Sequence, residues 1–279
     1  MSKPSFLAVS VALVGLVSFQ PSHVAAQATS ESPQATRAAP GGPPLGWSRE
    51  FGVAIIANPA FQGSSSYDAF PVPYFDVRFA DAKGVKYFGN IPQGFGGYVY
   101  RGRDSGSVTS DIFVSIAPGF ANREPDDIDG LNEFGAAVEA RIGWEYGNGP
   151  WGLNATVAQA LGTGHEGLYV ELGASWRTRI GRRGFASLGP TVRLGDSQYM
   201  NALYGITNVE SQRTGIGRFE ADSGLESVGV QGILSVPVSE TWRLTTVVGL
   251  SRLANDAEDS TLTEEPNQGF FLTALTRRF

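Results

Sequence analysis

The chain contains no cysteine among its 279 residues. A disulfide framework, a zinc–thiolate site and a cysteine nucleophile are therefore excluded. Charged residues are scarce, at 17% of the chain, against roughly 25% in ordinary soluble domains. Because the formal net charge is −6, there is no basic footprint, and we expect no nucleic-acid partner. Glycine (36 residues) and aromatic side chains (11%) are abundant instead. This composition favours a β-rich protein in a solvent environment other than that of ordinary soluble domains.

Histidine is almost absent, and only His165 follows the first 26 residues. A Ser-His-Asp triad would have to use it, and no G-x-S-x-G elbow occurs. The segment 162–167 predicts a short external loop in which His165 is solvated. The alternative is an acid–base pair of His165 and Glu166, together with Asp126 and Asp127, as in an omptin-like surface hydrolase. We expect that the protein is not an enzyme and predict no catalytic, cofactor-binding or metal-binding residues.

No hydrophobic run after the N-terminus is long enough for a transmembrane helix. At the N-terminus, Lys3 is followed by the apolar stretch Phe6–Phe19 and by small residues up to Ala26. This order predicts a signal peptide over residues 1–26, so the mature protein leaves the cytoplasm. A second cleavage site lies two residues later. Residues 27–46 are rich in Pro, Ser, Ala and Gly, and predict a flexible periplasmic leader.

From Trp47 onward, apolar residues recur with a period of two. One series between residues 133 and 146 consists of Phe134, Ala136, Val138, Ala140, Ile142, Trp144 and Tyr146. The alternating series consists of Glu133, Gly135, Ala137, Glu139, Arg141, Gly143 and Glu145. Because successive strand side chains point to opposite faces, one face is apolar and the other is charged or small. The same alternation recurs around 109–121, 168–180 and 241–252.

The predicted strands are longer than the usual length of about five or six residues, which suits tilted membrane-spanning strands. A closed barrel also leaves no unpaired backbone edge in lipid. We therefore predict an all-β protein whose residues 47–279 form a closed antiparallel transmembrane β-barrel. A soluble periplasmic β domain is the alternative.

The connections alternate between short turns and long polar loops, as in outer-membrane barrels with both termini in the periplasm. The longest of the polar loops is 196–224. We predict twelve strands, at 49–57, 72–80, 85–91, 94–101, 109–121, 132–146, 151–161, 168–180, 185–195, 225–236, 241–252 and 268–279. The hairpin 85–101 is the weakest because the connection 91–93 is very tight. Without it the barrel has ten strands.

Aromatic residues mark one end of these strands. All five tryptophans fall beside predicted short turns or at the start of the first strand: Trp47, Trp144, Trp151, Trp176 and Trp242. Amphipathic rings favour the headgroup level, so this end is predicted to lie at the periplasmic interface. The terminal Phe279 closes an amphipathic strand and resembles the sorting signal of outer-membrane barrels.

Charged residues on the inward series are the candidates for a lumen: Arg78, Glu139, Arg141, Glu145, Glu171, Arg177, Arg179, Arg193 and Arg243. They would either line a narrow aqueous pore or pair with one another and close it. The loops are acidic, around 124–129 and 256–265. Their carboxylates would either form a solvated rim or bind divalent cations that bridge lipopolysaccharide.

Three segments have a characteristic spacing of Pro, Tyr, Gly and Arg. Residues 57–79 read ANPAFQGSSSYDAFPVPYFDVRF, residues 199–212 read YMNALYGITNVESQ, and residues 252–264 read RLANDAEDSTLTE. In this order, and with the terminal Phe279, they resemble the MipA/OmpV family of outer-membrane proteins, the MltA-interacting proteins. The resemblance covers most of the mature chain. Thr261 stands where the family usually has proline.

The resemblance implies a barrel in the cell outer membrane, in contact with lipid and lipopolysaccharide. It also implies a non-catalytic scaffold that tethers a lytic murein transglycosylase to a murein synthase. The charged lumen leaves a small outer-membrane channel as the alternative, and the surface hydrolase is the third hypothesis. Under the scaffold hypothesis we expect partners to bind the leader and short turns such as 181–184, where Arg182 and Arg183 offer cations. The alternative is that these cations only anchor the barrel at the lipid headgroups.

Overall fold

We describe the protein from a computed structural model, which covers residues 45–279 except 104–107, 120, 124–127, 136, 163, 166 and 182. The predicted signal peptide and residues 27–44 of the predicted leader lie outside the described residues. No helix in the described part of the chain is long and apolar enough to cross a membrane.

Twelve strands form the molecule, as the alternation of apolar and polar residues predicts. They are β1 (Gly46–Pro59), β2 (Tyr67–Asp81), β3 (Gly84–Asn90), β4 (Gly94–Arg103), β5 (Val108–Gly119), β6 (Ala137–Asn148), β7 (Trp151–Leu161), β8 (Leu168–Ile180), β9 (Gly184–Gly195), β10 (Gly224–Pro237), β11 (Trp242–Leu253) and β12 (Asn267–Arg278). Each strand pairs antiparallel with its sequence neighbours, and β1 pairs with β12, so the sheet is a closed barrel. The ten-strand alternative is wrong.

The two ends of the barrel differ. One end, here called the turn end, carries the short connections 82–83, 149–150, 181–183 and 238–241. The first described strand starts at this end and Phe279 lies beside it, where its N–H donates to the Arg49 carbonyl. The opposite end, here called the loop end, carries the longer connections, including 196–223.

The two faces of the wall are those that the period of two predicts. On β6, Glu139, Arg141 and Glu145 are buried, while Val138 and Ile142 are exposed. All five tryptophans are exposed on the turn-end side of the wall. The predicted start of β6 was wrong, because the described residues before Ala137 leave the wall. Phe134 there forms an isolated bridge with Arg123 and packs on buried residues of the loop end.

The connection 196–223 is not the polar loop that the sequence predicted. It contains α1 (Ser197–Tyr204) and α2 (Asn208–Thr214), and a third short helix, α3 (Asp256–Asp259), lies in the next loop. Helix α1 buries Tyr199, Met200, Leu203 and Tyr204, which pack with residues of the wall and of α3. We call the segment 197–223 the cap. The alternation of strand residues did not identify its apolar side chains, because these follow a helical period in a segment that lies between two strands.

Candidate functional site

Paired charges occupy the turn-end half of the lumen. Arg78 donates to Asp76 at 2.6 Å, and Glu50 accepts from Arg278 at 3.1 Å. Arg243 donates to the Ser235 hydroxyl at 3.1 Å. These groups are buried or nearly so, and a buried ion pair requires good geometry to offset its desolvation. The predicted lumen residues Arg78 and Arg243 are therefore parts of a closed network.

A second network surrounds His165 in the loop-end half. Its Nε2 atom lies 3.0 Å from Glu139 Oε1, and Arg141 and the Tyr169 hydroxyl donate to Glu139 Oε2 at 2.8 and 2.9 Å. The prediction that His165 is solvated was wrong, because its side chain is fully buried between Tyr169 and Tyr199. A buried imidazole held by a carboxylate and two rings does not face a substrate at the surface.

A third network joins the wall to the cap. Arg193 donates to Glu171 at 2.8 Å and lies 3.7 Å from Glu226. The hydroxyls of Tyr199 and Tyr204, both on α1, donate to Glu226 at 3.3 and 2.8 Å. Burial, and then the Glu226 carboxylate, raises the pKa of both tyrosines well above the ordinary value. Both hydroxyls therefore stay protonated and keep donating.

The cap has its own buried carboxylate, Glu210 on α2. It accepts from the backbone N–H groups of Asn132 and Thr207 at 3.0 and 2.8 Å, and it lies 3.1 Å from Arg123. Burial raises the pKa of Glu210, but these hydrogen bonds and the Arg123 charge outweigh it, and the pKa lies below its ordinary value. Because Arg123 and Asn132 belong to the connection between β5 and β6, Glu210 ties two loops together.

An apolar layer lines the lumen on the side of β9 to β12 and β1. It consists of Ala54, Ile56, Phe185, Ile233, Val247, Phe270, Leu272 and Ala274. Ala54, Ile56 and Ala274 are at most 1% exposed, so the side chains on this side of the lumen are closely packed. A small cavity of about 20 Å³ remains near Glu171, Arg193 and Gln268.

The outer surface differs in charge between the two ends. At the turn end, Arg49, Arg179, Arg183 and Arg277 are exposed, against the exposed carboxylate Glu240 and the partly exposed Asp81, which pairs with Arg101, among the described residues. The sequence had placed Arg179 in the lumen, but it lies at the lumen mouth, exposed to solvent. At the loop end, exposed carboxylates predominate: Asp68, Asp129, Glu133, Glu220, Asp222, Asp259 and Glu264.

Two other predicted lumen residues, Glu145 and Arg177, also face inward. Glu145 accepts from the Tyr98 hydroxyl at 3.0 Å, and Arg177 lies over the Phe185 ring at 5.9 Å, so both face the lumen as predicted. Glu166, Asp126, Asp127 and Arg182 lie outside the described residues. Within the described ranges, no three His, Cys, Asp or Glu side chains are arranged to hold a metal ion.

Sequence reasoning missed the cap residues Tyr199, Tyr204 and Glu210. The signal that identifies α2 was present, because Thr207 and Glu210 have the Thr-x-x-Glu spacing of a capping box, and both reciprocal hydrogen bonds are formed. The role of the α1 tyrosines depends on Glu226, more than twenty residues away, which local spacing does not identify.

Comparison with known proteins places the chain in a family. A search of curated proteins finds no match. The family model described as MltA-interacting protein MipA matches residues 51–279, which is nearly the whole barrel. This agrees with the resemblance of the three sequence segments and with the closed barrel. The chain therefore belongs to the family of the MltA-interacting protein MipA.

Proposed function

We propose that the protein is a non-catalytic scaffold of the outer membrane, which binds enzymes of murein turnover and synthesis. The observation that carries the proposal is the family match over residues 51–279, since the family's name describes an interaction with the murein transglycosylase MltA. By this proposal the barrel contacts lipid and lipopolysaccharide, and its exposed apolar wall supports that location.

The side chains packed in the lumen support a function at the surface of the barrel. A passive channel needs a continuous polar path, whereas apolar side chains of β9 to β12 and β1, among them Ile56 and Ala274, are buried together inside this barrel. A surface hydrolase needs an accessible general base, whereas His165 is fully buried. We therefore favour the scaffold over both alternatives.

We propose that partners bind at the turn end, which faces the periplasm in this arrangement. Arg179 and Arg183 are exposed there, and exposed cations steer the approach of an acidic partner surface. The first described strand, β1, also begins at this end. The acidic loop end would repel such a partner.

The test is capture of purified murein transglycosylase by the folded, full-length barrel in phospholipid vesicles. The variant Arg179→Ser/Arg183→Ser should weaken capture by roughly tenfold or more, an effect of about 1.4 kcal/mol. The matched control is Arg213→Ser/Arg218→Ser, which removes two exposed cations from the cap at the loop end, and it should leave capture unchanged. Equal loss in both variants, or loss in the control alone, contradicts a turn-end scaffold.

A further inference from the structure

The barrel closes where β1 pairs with β12, and two charged side chains face outward at this seam. Arg49 and Arg277 are exposed on the outer wall, whereas their chain neighbours Glu50 and Thr276 are buried in the lumen. The outward-facing residues of β5 to β10, strands that the structure describes in full, include no Asp, Glu, Lys or Arg. The two arginines therefore distinguish the seam from half of the apolar wall.

The strand register brings the two arginines together. Phe51 of β1 lies opposite Arg277 of β12, and Arg49 comes two residues before Phe51 on the same face. Arg49 and Arg277 are thus diagonal neighbours, a position in which residues are ~7–8 Å apart and long side chains can meet. We call Arg49 and Arg277 the seam pair.

No described carboxylate neutralises the seam pair. Arginines of the inward series do have such a partner, since Arg278 and Arg243 lie 3.1 and 3.9 Å from Glu50. Neither member of the seam pair forms an ion pair with a described residue, and Arg277 only lies over the Phe279 ring, 5.3 Å from its centroid. Because like charges side by side on a sheet are unfavourable, a negatively charged ligand would stabilise both arginines.

Two tryptophans mark the height of the seam pair on the wall. Trp242 of β11 lies opposite Arg277, and Trp47 lies two residues before Arg49 in β1. Both indole rings are exposed. Because tryptophan favours the level of the lipid headgroups, the seam pair lies at the height of lipid phosphates when the barrel is in a membrane.

We propose that the seam pair binds the phosphate of an anionic glycerophospholipid in the leaflet at the turn end. The inference rests on the proposed membrane location, and it goes beyond the scaffold function. Guanidinium groups match phosphate oxygens in charge and in planar geometry. On the same face, the exposed side chains of Val53 and Leu275 would contact the acyl chains of that lipid. An acidic protein would have to reach this outward-facing surface through the lipid.

The test is native mass spectrometry of the folded, full-length barrel in a non-ionic detergent. The barrel is titrated with phosphatidylglycerol, which is anionic, and with phosphatidylcholine of the same acyl chains, which has no net charge. The dissociation constant of the first bound lipid is measured for each. The variant is Arg49→Gln/Arg277→Gln. The charge-matched control is Arg213→Gln/Arg218→Gln, which removes two exposed cations from the cap.

The unmodified barrel should bind phosphatidylglycerol roughly tenfold more tightly than phosphatidylcholine, the order expected for two basic residues at an anionic lipid surface. Arg49→Gln/Arg277→Gln should remove this preference, and the control should keep it. No preference in the unmodified barrel, or equal loss in the control, overturns the proposal and leaves the scaffold function intact. A barrel that stays soluble and monodisperse without detergent contradicts the membrane location, and the proposal fails with it.

Two further measurements identify the ligand. Glycerophosphoglycerol, the headgroup without acyl chains, is added at the concentration of the lipid and should not displace phosphatidylglycerol. Displacement would show a site for a soluble phosphate ester and would overturn the lipid assignment. If Arg49→Gln/Arg277→Gln keeps the lipid preference but loses capture of murein transglycosylase in vesicles, the seam pair binds protein, which also overturns the proposal.

Folding of each variant is checked by its heat-dependent migration on gels. Both arginines are exposed, so the double variant should fold. If it does not, the single variants Arg49→Gln and Arg277→Gln replace it, and each should lose part of the preference for phosphatidylglycerol. A full preference in both single variants overturns the proposal.

Discussion

Arg141 connects three structural features at the scale of a single residue. It pairs with Glu139 at 2.8 Å and donates to the carbonyls of Pro92 and Pro118. Its side chain is completely buried. The guanidinium therefore serves both as the counterion of a lumen carboxylate and as a link between the connection 91–93 and β5. Lysine has no planar fork with which to make these contacts.

We predict that Arg141→Met destabilises the barrel by about 3–5 kcal/mol, because it leaves the Glu139 carboxylate buried without its guanidinium partner. The measurement is reversible urea unfolding in phospholipid vesicles. Arg252→Met is the matched control, since Arg252 is exposed and pairs with Glu258 at the surface. Arg252→Met should lower the free energy of unfolding by about 0–1 kcal/mol. Similar costs for the two variants would contradict the role assigned to Arg141.

The sequence predicts the side of the wall on which such residues lie, but not their partners. The period of two places Arg141, Glu139 and Arg193 inward, and the structure agrees. The contact between His165 and Glu139 brings together residues 26 positions apart and depends on where a loop folds back. Local periodicity contains no information about that fold, so His165 was wrongly predicted to be solvated.

At the scale of elements, the β3–β4 hairpin depends on one glycine. Gly94 has a φ of +75°, and a Cβ atom there would lie 2.1 Å from the Ile116 carbonyl oxygen. The obstacle is backbone of the neighbouring strand and cannot rotate away. Glycine therefore allows β4 to turn tightly against β5, which is why the hairpin can be so short.

We predict that Gly94→Ala destabilises the barrel by clearly more than Gly149→Ala. Gly149 also has a positive φ, of 58°, but nothing lies within 4 Å of its Cβ position. Gly149→Ala should therefore cost about 1–2 kcal/mol from backbone strain alone. Gly94→Ala should carry the same backbone strain and, in addition, the clash with the Ile116 carbonyl oxygen. The comparison is made by urea unfolding, and equal costs would show that the approach to Ile116 is not important.

The cap is the element whose stability should depend on pH. The pKa of Glu210 is lowered in the folded protein, so its carboxylate contributes stability above the ordinary glutamate pKa of about 4.3. This contribution is lost as the pH falls through the lower folded pKa. We predict that amide exchange in residues 197–214, corrected for intrinsic rates, accelerates as the solution is acidified from neutrality to below that value.

Two variants check this origin. Glu210→Gln should accelerate exchange in the cap already at neutral pH and remove most of the acid dependence, and trypsin should cut faster after Arg213. Glu133→Gln, at an exposed carboxylate of the loop end, should behave as the unmodified protein does. An unchanged acid response in Glu210→Gln would assign the effect to other groups.

The elements themselves differ in how far the sequence predicts them. Strand positions follow from the alternation and from turn residues such as Gly149 and Pro150, and all twelve were predicted. The helices of the cap were not, because 7 or 8 residues are too few for a helical period to stand out beside long strands. The predicted location of both termini in the periplasm remains a prediction.

At the scale of the whole molecule, three groups of contacts occupy the lumen. The cap packs on the loop end of the wall, the apolar layer around Ile56 and Phe270 lines one side of the lumen, and the paired charges around Glu50 and Asp76 occupy the turn end. Barrel diameter grows with strand number, so twelve strands leave a modest interior, and these side chains take up part of it.

We therefore predict that the purified barrel shows no steady ion conductance in planar lipid bilayers. The more demanding comparison is Glu210→Gln. This variant should loosen the cap and yet show no ion conductance, because the apolar side chains of Ile56, Phe270 and Ala274 should still exclude water below the cap. A general porin added to the same bilayers establishes that a conducting barrel is detected. Steady conductance in the unmodified protein would contradict the closed lumen and favour the channel. Conductance that appears only with Glu210→Gln would show that the cap alone is the gate and that the apolar layer opens once the cap is released.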